Sequence, residues 1–252
     1  LFDCLVASVP APLEFDSLPR RYRAIATDMD TGQAVVLGGG SLSEAMRASM
    51  SIPGAFAPYE IDGQRLVDGG LVQNLPVETA RSLGADIIIA IDLDTGRGKK
   101  SPEARSPIDA LSRSLDILIR QNVRRSLENA DHVITIDLSG YSAADFGKAD
   151  EILAIGKDAG IKAAQAIASI KETIGPNASS AAALQPPTIP TLRKFTVSGG
   201  TASSRYFATN CLSPLAGTAP SWLQLKEAVD RLDASGLYEG IRLRQDSRSA
   251  AT

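Results

Sequence analysis

The residues best placed to do chemistry lie in one run, Leu66-Val67-Asp68-Gly69-Gly70-Leu71-Val72-Gln73-Asn74-Leu75-Pro76. A carboxylate ends a strand, two glycines follow, and a helix then begins. Glycine tolerates positive φ and leaves open space, so the pair would let the backbone turn hard above Asp68. A lone carboxylate serves as general base to a serine when the two side chains touch in a water-poor site. Donors that stabilise the developing oxyanion then make up the difference in acidity. Such chemistry needs a nucleophile and an oxyanion loop. The chain has no G-x-S-x-G nucleophile elbow, so the residues by themselves leave Asp68 open between a catalytic acid/base and an aspartate buried in a turn.

Other chemistry is weighed the same way. The chain has one histidine, His132, so any Ser-His-Asp triad complete within it must use that residue. His132 follows Asp131 at the start of an expected strand, far in sequence from Asp68, and strand-edge histidines have ordinary structural uses. Cysteines and histidines are too few for a tetrahedral zinc site. Two segments read Asp-x-Asp-Thr-Gly, Asp28 to Gly32 and Asp92 to Gly96. Each follows an apolar strand, where a phosphohydrolase would place an aspartyl nucleophile and its Mg²⁺ ligands. A well-placed lysine and a downstream carboxylate pair are missing from the pattern, and aspartates that cap turns at strand ends are the favoured reading. Gly38-Gly39-Gly40 lacks the third glycine of a dinucleotide fingerprint, since Ser43 stands there. It reads as a turn before a helix cap.

The elements that position these residues follow from pattern. A composition of 44% hydrophobic and 22% charged residues describes a globular chain. A net charge of -3 supplies no positive field for a phosphate backbone, which argues against nucleic acid as a partner. Cys4 and Cys211 lie far apart and suggest no disulfide framework. The longest apolar runs, such as Ile87 to Ile91, have strand length and fall short of the roughly 20 residues of a membrane-spanning helix. The chain opens Leu1-Phe2-Asp3 with no signal-peptide pattern, and we expect a fragment or processed piece.

Pro10, Pro12 and Pro19 suit an irregular lead-in. Arg21 to Thr27 and Gln33 to Leu37 read as a hairpin, and Ser41 with Glu44 as a capping box that opens a helix from Leu42 to Met50. Asp62-Gly63 turns a second hairpin, Tyr59 to Ile61 with Gln64 to Val67, at whose end Asp68 leaves the sheet. Asn74 is the expected N-cap of a short helix that stops at Gly84. Ala85 to Leu93 is a β-branched run of the kind buried on both faces in a parallel sheet. Gly96 to Ser106 is polar. Ile108, Leu111, Leu115, Leu118, Val123 and Leu127 space a helix at near-3.6 periodicity, with Asn122 the exception. Its Arg113, Arg120, Arg124 and Arg125 form a basic set that could meet anionic headgroups, with an ordinary solvated face the favoured reading. His132 to Leu138 is a strand, and Glu151 to Thr173 a long helix whose Gly156 and Gly160 permit close backbone packing. Gly175-Pro176 ends it. An Ala/Ser/Pro linker follows, and then a strand from Leu192 to Ser198, helices over 204–212 and from Ser221, and a strand from Leu237 to Arg244.

The run Ala48-Ser49-Met50-Ser51-Ile52-Pro53-Gly54-Ala55-Phe56, followed by Val67 to Pro76, closely resembles the second half of patatin-like phospholipase domains. The likeness extends through Phe15 to Pro19, Ala26-Thr27-Asp28, Gly84-Ala85-Asp86 and Ala130 to Ile134. It implies an α/β fold with a mixed, mostly parallel sheet flanked by helices over residues 1–176. It also implies a lipid acyl hydrolase that works by a Ser-Asp dyad, with Asp68 the catalytic acid/base and Gly69 and Gly70 completing its motif. The nucleophile and glycine-rich oxyanion loop would belong upstream of Leu1, so the chain alone is expected to hydrolyse no ester. No cofactor or metal is implied. The implied partners are a phospholipid or other acyl lipid and a membrane surface.

After a linker at 177–191, residues 192–245 resemble a truncated POTRA domain, a small α+β module. Lys194 to Gly200 and Leu232 to Ile241 carry that likeness. Together the two resemble a patatin-type autotransporter with an outer-membrane barrel in the parent chain, which implies a secreted or outer-membrane, periplasm-facing location, with a cytoplasmic one the alternative. The alternative functions are a non-enzymatic periplasmic interaction module that works by strand addition and the Mg²⁺-dependent phosphohydrolase.

Overall fold

The computed structural model describes residues 2–6, 9, 11–94, 107–141, 145–174, 189, 191–238 and 241–243. By contact density the chain divides into two compact units. One comprises Leu1–Ala24, Leu37–Gly63 and Ala183–Thr252, and the other Ile25–Val36 and Gln64–Ala182. The elements in chain order are α1 (Phe2–Leu5), β1 (Leu13–Glu14), β2 (Ala24–Asp28), β3 (Ala34–Leu37), β4 (Gly39–Gly40), α2 (Leu42–Ser49), β5 (Tyr59–Ile61), β6 (Gln64–Asp68), α3 (Gly70–Gln73), α4 (Val77–Ser82), β7 (Ile89–Asp94), α5 (Pro107–Asn129), β8 (His132–Asp137), α6 (Ala149–Ile174), α7 (Ala202–Leu212) and α8 (Trp222–Asp233). Strand and helix mix as an α/β chain requires.

In the first unit, β1 and β4 pair antiparallel, Leu13 opposite Gly40 and Glu14 opposite Gly39. The glycine triplet is therefore partly a strand. Phe15, Ala24 and Ala45 make a core that Leu13, Leu18, Tyr22, Leu37 and Leu42 close over. Ser41 caps α2 by accepting the Glu44 N–H at 3.4 Å. The Glu44 carboxylate receives the Tyr59 hydroxyl at 3.2 Å and the Arg242 guanidinium at 3.1 Å. α7 and α8 are both capped. Ser221 and Gln224 form a full capping box, with Gln224 N–H on Ser221 Oγ at 3.3 Å and Ser221 N–H on Gln224 Oε1 at 2.8 Å. Ala208, Leu212, Ala228 and Leu232 join the two helices, and Phe195, Val197, Tyr238 and Ile241 pack on that core.

The strands expected on either side of these helices require correction. Residues 192–198 and 241–243 carry no strand ladder, and Glu239, Gly240 and Arg244 lie outside the described residues. Their apolar side chains find the helices, yet a strand needs a hydrogen-bonded neighbour, and among the described residues neither segment supplies one to the other. The expected linker falls almost wholly outside the described residues, as do Thr95 to Ser106, Gly175-Pro176 and the polar tail.

In the second unit, β2 lies between β3 and β6. β2 and β6 run antiparallel, with Ala26 opposite Asp68, Thr27 opposite Val67 and Asp28 opposite Leu66. Every residue of β2 is buried, and Leu66 is wholly so. The Asp62-Gly63 turn has φ of 51° and 79° at its two central residues, the left-handed pair that a tight hairpin demands. β7 and β8 pair in parallel from Ile89 opposite His132 to Asp94 opposite Asp137, and the crossover between them contains α5. The expected mostly parallel sheet is thus corrected. Among the described residues the antiparallel ladders, β1 with β4 and β2 with β6, join strands distant in sequence, and the parallel ladder is the one whose crossover contains a helix.

Two further expectations change. β7 is buried on one face only, for Ala90 and Asp92 are covered while Ile89, Ile91 and Leu93 are 38%, 56% and 56% exposed. Among the described residues no backbone packs closely against Gly156 or Gly160, since a Cβ on either would meet no described atom within 4 Å. On α5, Val123 and Ser126 are buried and Arg113, Arg124 and Arg125 exposed, which is the ordinary solvated basic face.

Candidate active site

Asp68 is the last residue of β6. Its ladder with Ala26 and a hydrogen bond from Thr27 Oγ1 to its carbonyl oxygen, 2.9 Å, fix its backbone. The glycines after it act otherwise than their conformational freedom suggests. Gly69 has φ -66° and ψ -20°, ordinary right-handed values, and Gly70 starts α3, neither being among the positive-φ glycines. What both positions require is the absence of a side chain. A Cβ on Gly69 would lie 2.1 Å from the Ile25 carbonyl oxygen, a backbone atom of a buried strand. A Cβ on Gly70 would lie 2.9 Å from Asp68 Oδ1 and 2.9 Å from Asn74 Oδ1.

That close approach brings the Gly70 N–H to Asp68 Oδ1 at 2.7 Å, a charge-assisted hydrogen bond. Among the described residues Oδ1 takes the hydrogen bond and Oδ2 takes none. Burial pushes the Asp68 carboxyl above the usual carboxylate range, and the Gly70 N–H opposes the rise. A half-buried base with one oxygen held and the other open can accept a proton from a group brought against it.

α3 carries the donor, and other helices hold α3. Val72 and Gln73 N–H groups reach the Gly69 carbonyl at 3.1 and 2.8 Å. Asn122 on α5 donates from Nδ2 to the Gly70 and Leu71 carbonyls at 3.1 and 3.3 Å, and its Oδ1 accepts the Asn74 N–H at 3.4 Å. Four and seven residues on, Ser126 and Asn129 each donate to Glu78 of α4 at 3.1 Å. Thr79 Oγ1 closes the set on Gln73 Oε1 at 2.5 Å. Asn74 is not the N-cap expected of it. It ends α3, and α4 starts at Val77 after Pro76. Proline disfavours helical geometry at the residue before it, so Leu75 breaks one helix into two.

Among the other candidates, Asp28 and Asp131 hold backbone groups in place. Asp28 is a turn cap: its Oδ1 accepts the Asp30 and Thr31 N–H groups at 2.8 and 3.0 Å, and Gln64 reaches Oδ2 at 3.3 Å. Those bonds, the Thr31 N–H first, hold its carboxyl below the usual range. Asp92 is 3% exposed, and the Thr95-Gly96 end of its segment is outside the described residues. Among the described residues no group of three or more His, Cys, Asp or Glu is arranged to hold a metal ion. His132 begins β8 opposite Ile89, and Asp131 beside it accepts the Ile88 N–H at 2.8 Å and the Arg81 guanidinium at 2.7 Å. Arg81 also donates to the Ala85 and Asp86 carbonyls at 3.1 and 2.7 Å. Cys4 and Cys211 are free thiols. Asn122 is the site residue that sequence reasoning passed over. Its one signal was a polar amide on the apolar face of α5.

Comparison with known proteins gives partial matches over this region. Over 127 residues the chain is 35% identical to an uncharacterized NTE family protein of Mycobacterium tuberculosis, covering 48% of this chain and 35% of that protein. A second uncharacterized NTE family protein of the same organism is 30% identical over 174 residues, 60% of this chain and 30% of that protein. Patatin-like phospholipase domain-containing protein 7 of Mus musculus is 30% identical over 184 residues, 62% of this chain and 13% of that protein. The chain thus spans about a third or less of the curated relatives it matches. Residues 12–81 match the family model described as patatin-like phospholipase, and Asp68, Gly69 and Gly70 all lie inside that stretch.

Proposed function

We propose that this chain carries the aspartate half of a serine-aspartate site in a lipid acyl hydrolase acting on phospholipid or another acyl lipid. The observation that carries the reading is the Asp68 carboxylate, half-buried, gripped on Oδ1 by the Gly70 N–H, without a hydrogen bond on Oδ2 among the described residues, and inside the patatin-like stretch. In the first half-reaction Asp68 takes the proton of a serine hydroxyl as the serine oxygen bonds to the ester carbonyl carbon. The proton then passes to the leaving alcohol oxygen as the old C–O bond breaks. In the second, Asp68 takes a proton from water as the water oxygen bonds to the acyl carbon, and returns it to the serine oxygen as the acyl–serine C–O bond breaks and the carboxylic acid leaves. A base whose affinity for protons is raised by burial suits both transfers near neutral pH.

The serine and its oxyanion donors belong, in this reading, to a segment outside the 252 residues. Contact with a membrane surface, the autotransporter architecture and a periplasm-facing location form part of the same proposal. The test is ester hydrolysis by the longer parent polypeptide, with a short-chain p-nitrophenyl ester as probe. Asp68→Asn should lower kcat by about 10²–10⁴-fold, and an unchanged rate would overturn the role of Asp68. The 252-residue chain alone should be inactive. Turnover by it would overturn the external nucleophile.

A further inference from the structure

We infer that Asn122 is a positioning residue for Asp68: its side-chain amide holds the single turn of α3 so that the Gly70 N–H stays aimed at Asp68 Oδ1. α3 has four residues, too few to sustain themselves as helix in water. The last carbonyls of any helix lack intrahelical partners. In α3 the Gly70 and Leu71 carbonyls find theirs on Asn122 Nδ2, at 3.1 and 3.3 Å, while Asn122 Oδ1 accepts the N–H of Asn74 at the end of the turn. One amide therefore ties down three backbone groups of the segment that supplies the carboxylate's donor at 2.7 Å.

The placement also explains an oddity of sequence. Asn122 interrupts an otherwise apolar spacing along α5, between Leu118 and Val123. A leucine there would leave two carbonyls without their donor, and leaving a polar group unsatisfied costs more than the bond itself yields. Ser126 and Asn129, on the same side of α5, bond to Glu78 of α4, with no hydrogen bond to Gly70 or Asp68 among the described residues. They serve as internal controls, because they dock α5 without gripping the donor turn.

The two influences on the Asp68 carboxyl are burial, which raises its proton affinity, and the Gly70 N–H, which lowers it. Among the described residues no charged side chain adds to these two, so loss of the aimed N–H has a defined sign. The experiment is ¹³C NMR titration of the Asp68 carboxyl in the 252-residue chain, assigned by the signal lost in Asp68→Asn. In Asn122→Leu the midpoint should move upward from wild type. In Asn122→Gln, which keeps the amide, it should return toward wild type, and in Ser126→Ala it should stay. If Asn122→Leu does not fold, Asn122→Ala is read the same way. An Asp68 midpoint unmoved in the folded Asn122 variant overturns the inference and leaves Asn122 a packing residue.

A second arm rests on the acyl-hydrolase reading. In the parent polypeptide Asn122→Leu should lower kcat roughly tenfold with KM within about twofold, and should shift the acid limb of the rate profile to higher pH. If the Asp68 midpoint moves while no form hydrolyses ester, the positioning stands and the enzymatic reading fails. If hydrolysis is present and the rate profile of Asn122→Leu matches wild type, the positioning fails and the enzymatic reading stands.

Discussion

A Cβ on Gly69 would lie 2.1 Å from the carbonyl oxygen of Ile25 and 2.5 Å from its carbon. Both are backbone atoms of a strand held between β3 and β6, so neither moves without disturbing the sheet. Gly69→Ala should therefore cost roughly 3 kcal/mol, the upper range of overpacking penalties, read as a lower urea midpoint at unchanged slope. Gly156→Ala is the contrast, with open space around it inside α6. It should stabilise by about 0.5–1 kcal/mol.

Asp68 makes stability depend on pH in the direction opposite to an ion-paired carboxylate. Its folded value is raised above the ordinary 3.8, with burial the leading cause. Between those two values the folded chain holds a proton that the unfolded chain has released, so stability falls as pH rises through that window. Below 3.8 both states are protonated and the penalty is absent. Asp68→Asn keeps an oxygen for the Gly70 N–H and removes the charge. Its urea midpoint should exceed wild type at pH 7, and the gap should close as pH falls below the unfolded value. The gap should be modest, because part of the carboxylate is reached by solvent.

Much of this site was legible from residue types. The Asp62-Gly63 hairpin, the Ser41 and Ser221 caps and the stop at Gly84, with φ 90°, depend on neighbours a few residues away, and the chain displays those neighbours in order. The reason for Gly69 was not legible. Its constraint comes from Ile25, in another strand, and no local pattern announces a carbonyl approaching from there. The same holds for Asn122, whose partners lie in α3, and for β7, where an unbroken aliphatic run signals burial on both faces and tertiary packing covers only one. The strands expected at Leu192 and Leu237 alternate as strands should, yet alternation records which side faces a core. It does not guarantee a hydrogen-bonded neighbour.

Arg81 and Asp131 tie the end of α4 to the entry of both parallel strands. The Ile88 N–H and the Arg81 guanidinium, in that order, hold the Asp131 carboxyl below its ordinary value of 3.8. Stability from a depressed carboxyl is fully present above the unfolded value and is lost as pH falls through the folded one. Asp131→Asn should therefore lower the urea midpoint at pH 7, with the difference shrinking as wild type is acidified below 3.8. Arg81→Lys should also destabilise, since an ammonium cannot reach Asp131 and the carbonyls of Ala85 and Asp86 with the guanidinium's fixed fork.

The uncovered face of β7 separates apparent from actual core. Leu66 and Ile91 are both aliphatic and both in strands, yet Leu66 is 0% exposed and Ile91 56%. Leu66→Ala removes buried methyl groups from a packed layer and should cost about 2–5 kcal/mol. Ile91→Thr removes little that is buried and keeps a β-branched side chain suited to a strand, so its midpoint should stay within about 0.5 kcal/mol of wild type. Ile89, Ile91 and Leu93 alternate along one side of β7 and share that side with Ile134 and Ile136 of β8, their ladder partners or neighbours. A contiguous apolar face of this kind drives association. Ile91→Thr should therefore reduce binding of a hydrophobic dye and raise the protein concentration at which light scattering begins. A midpoint loss in Ile91→Thr as large as that in Leu66→Ala would show that Ile91 is covered in solution.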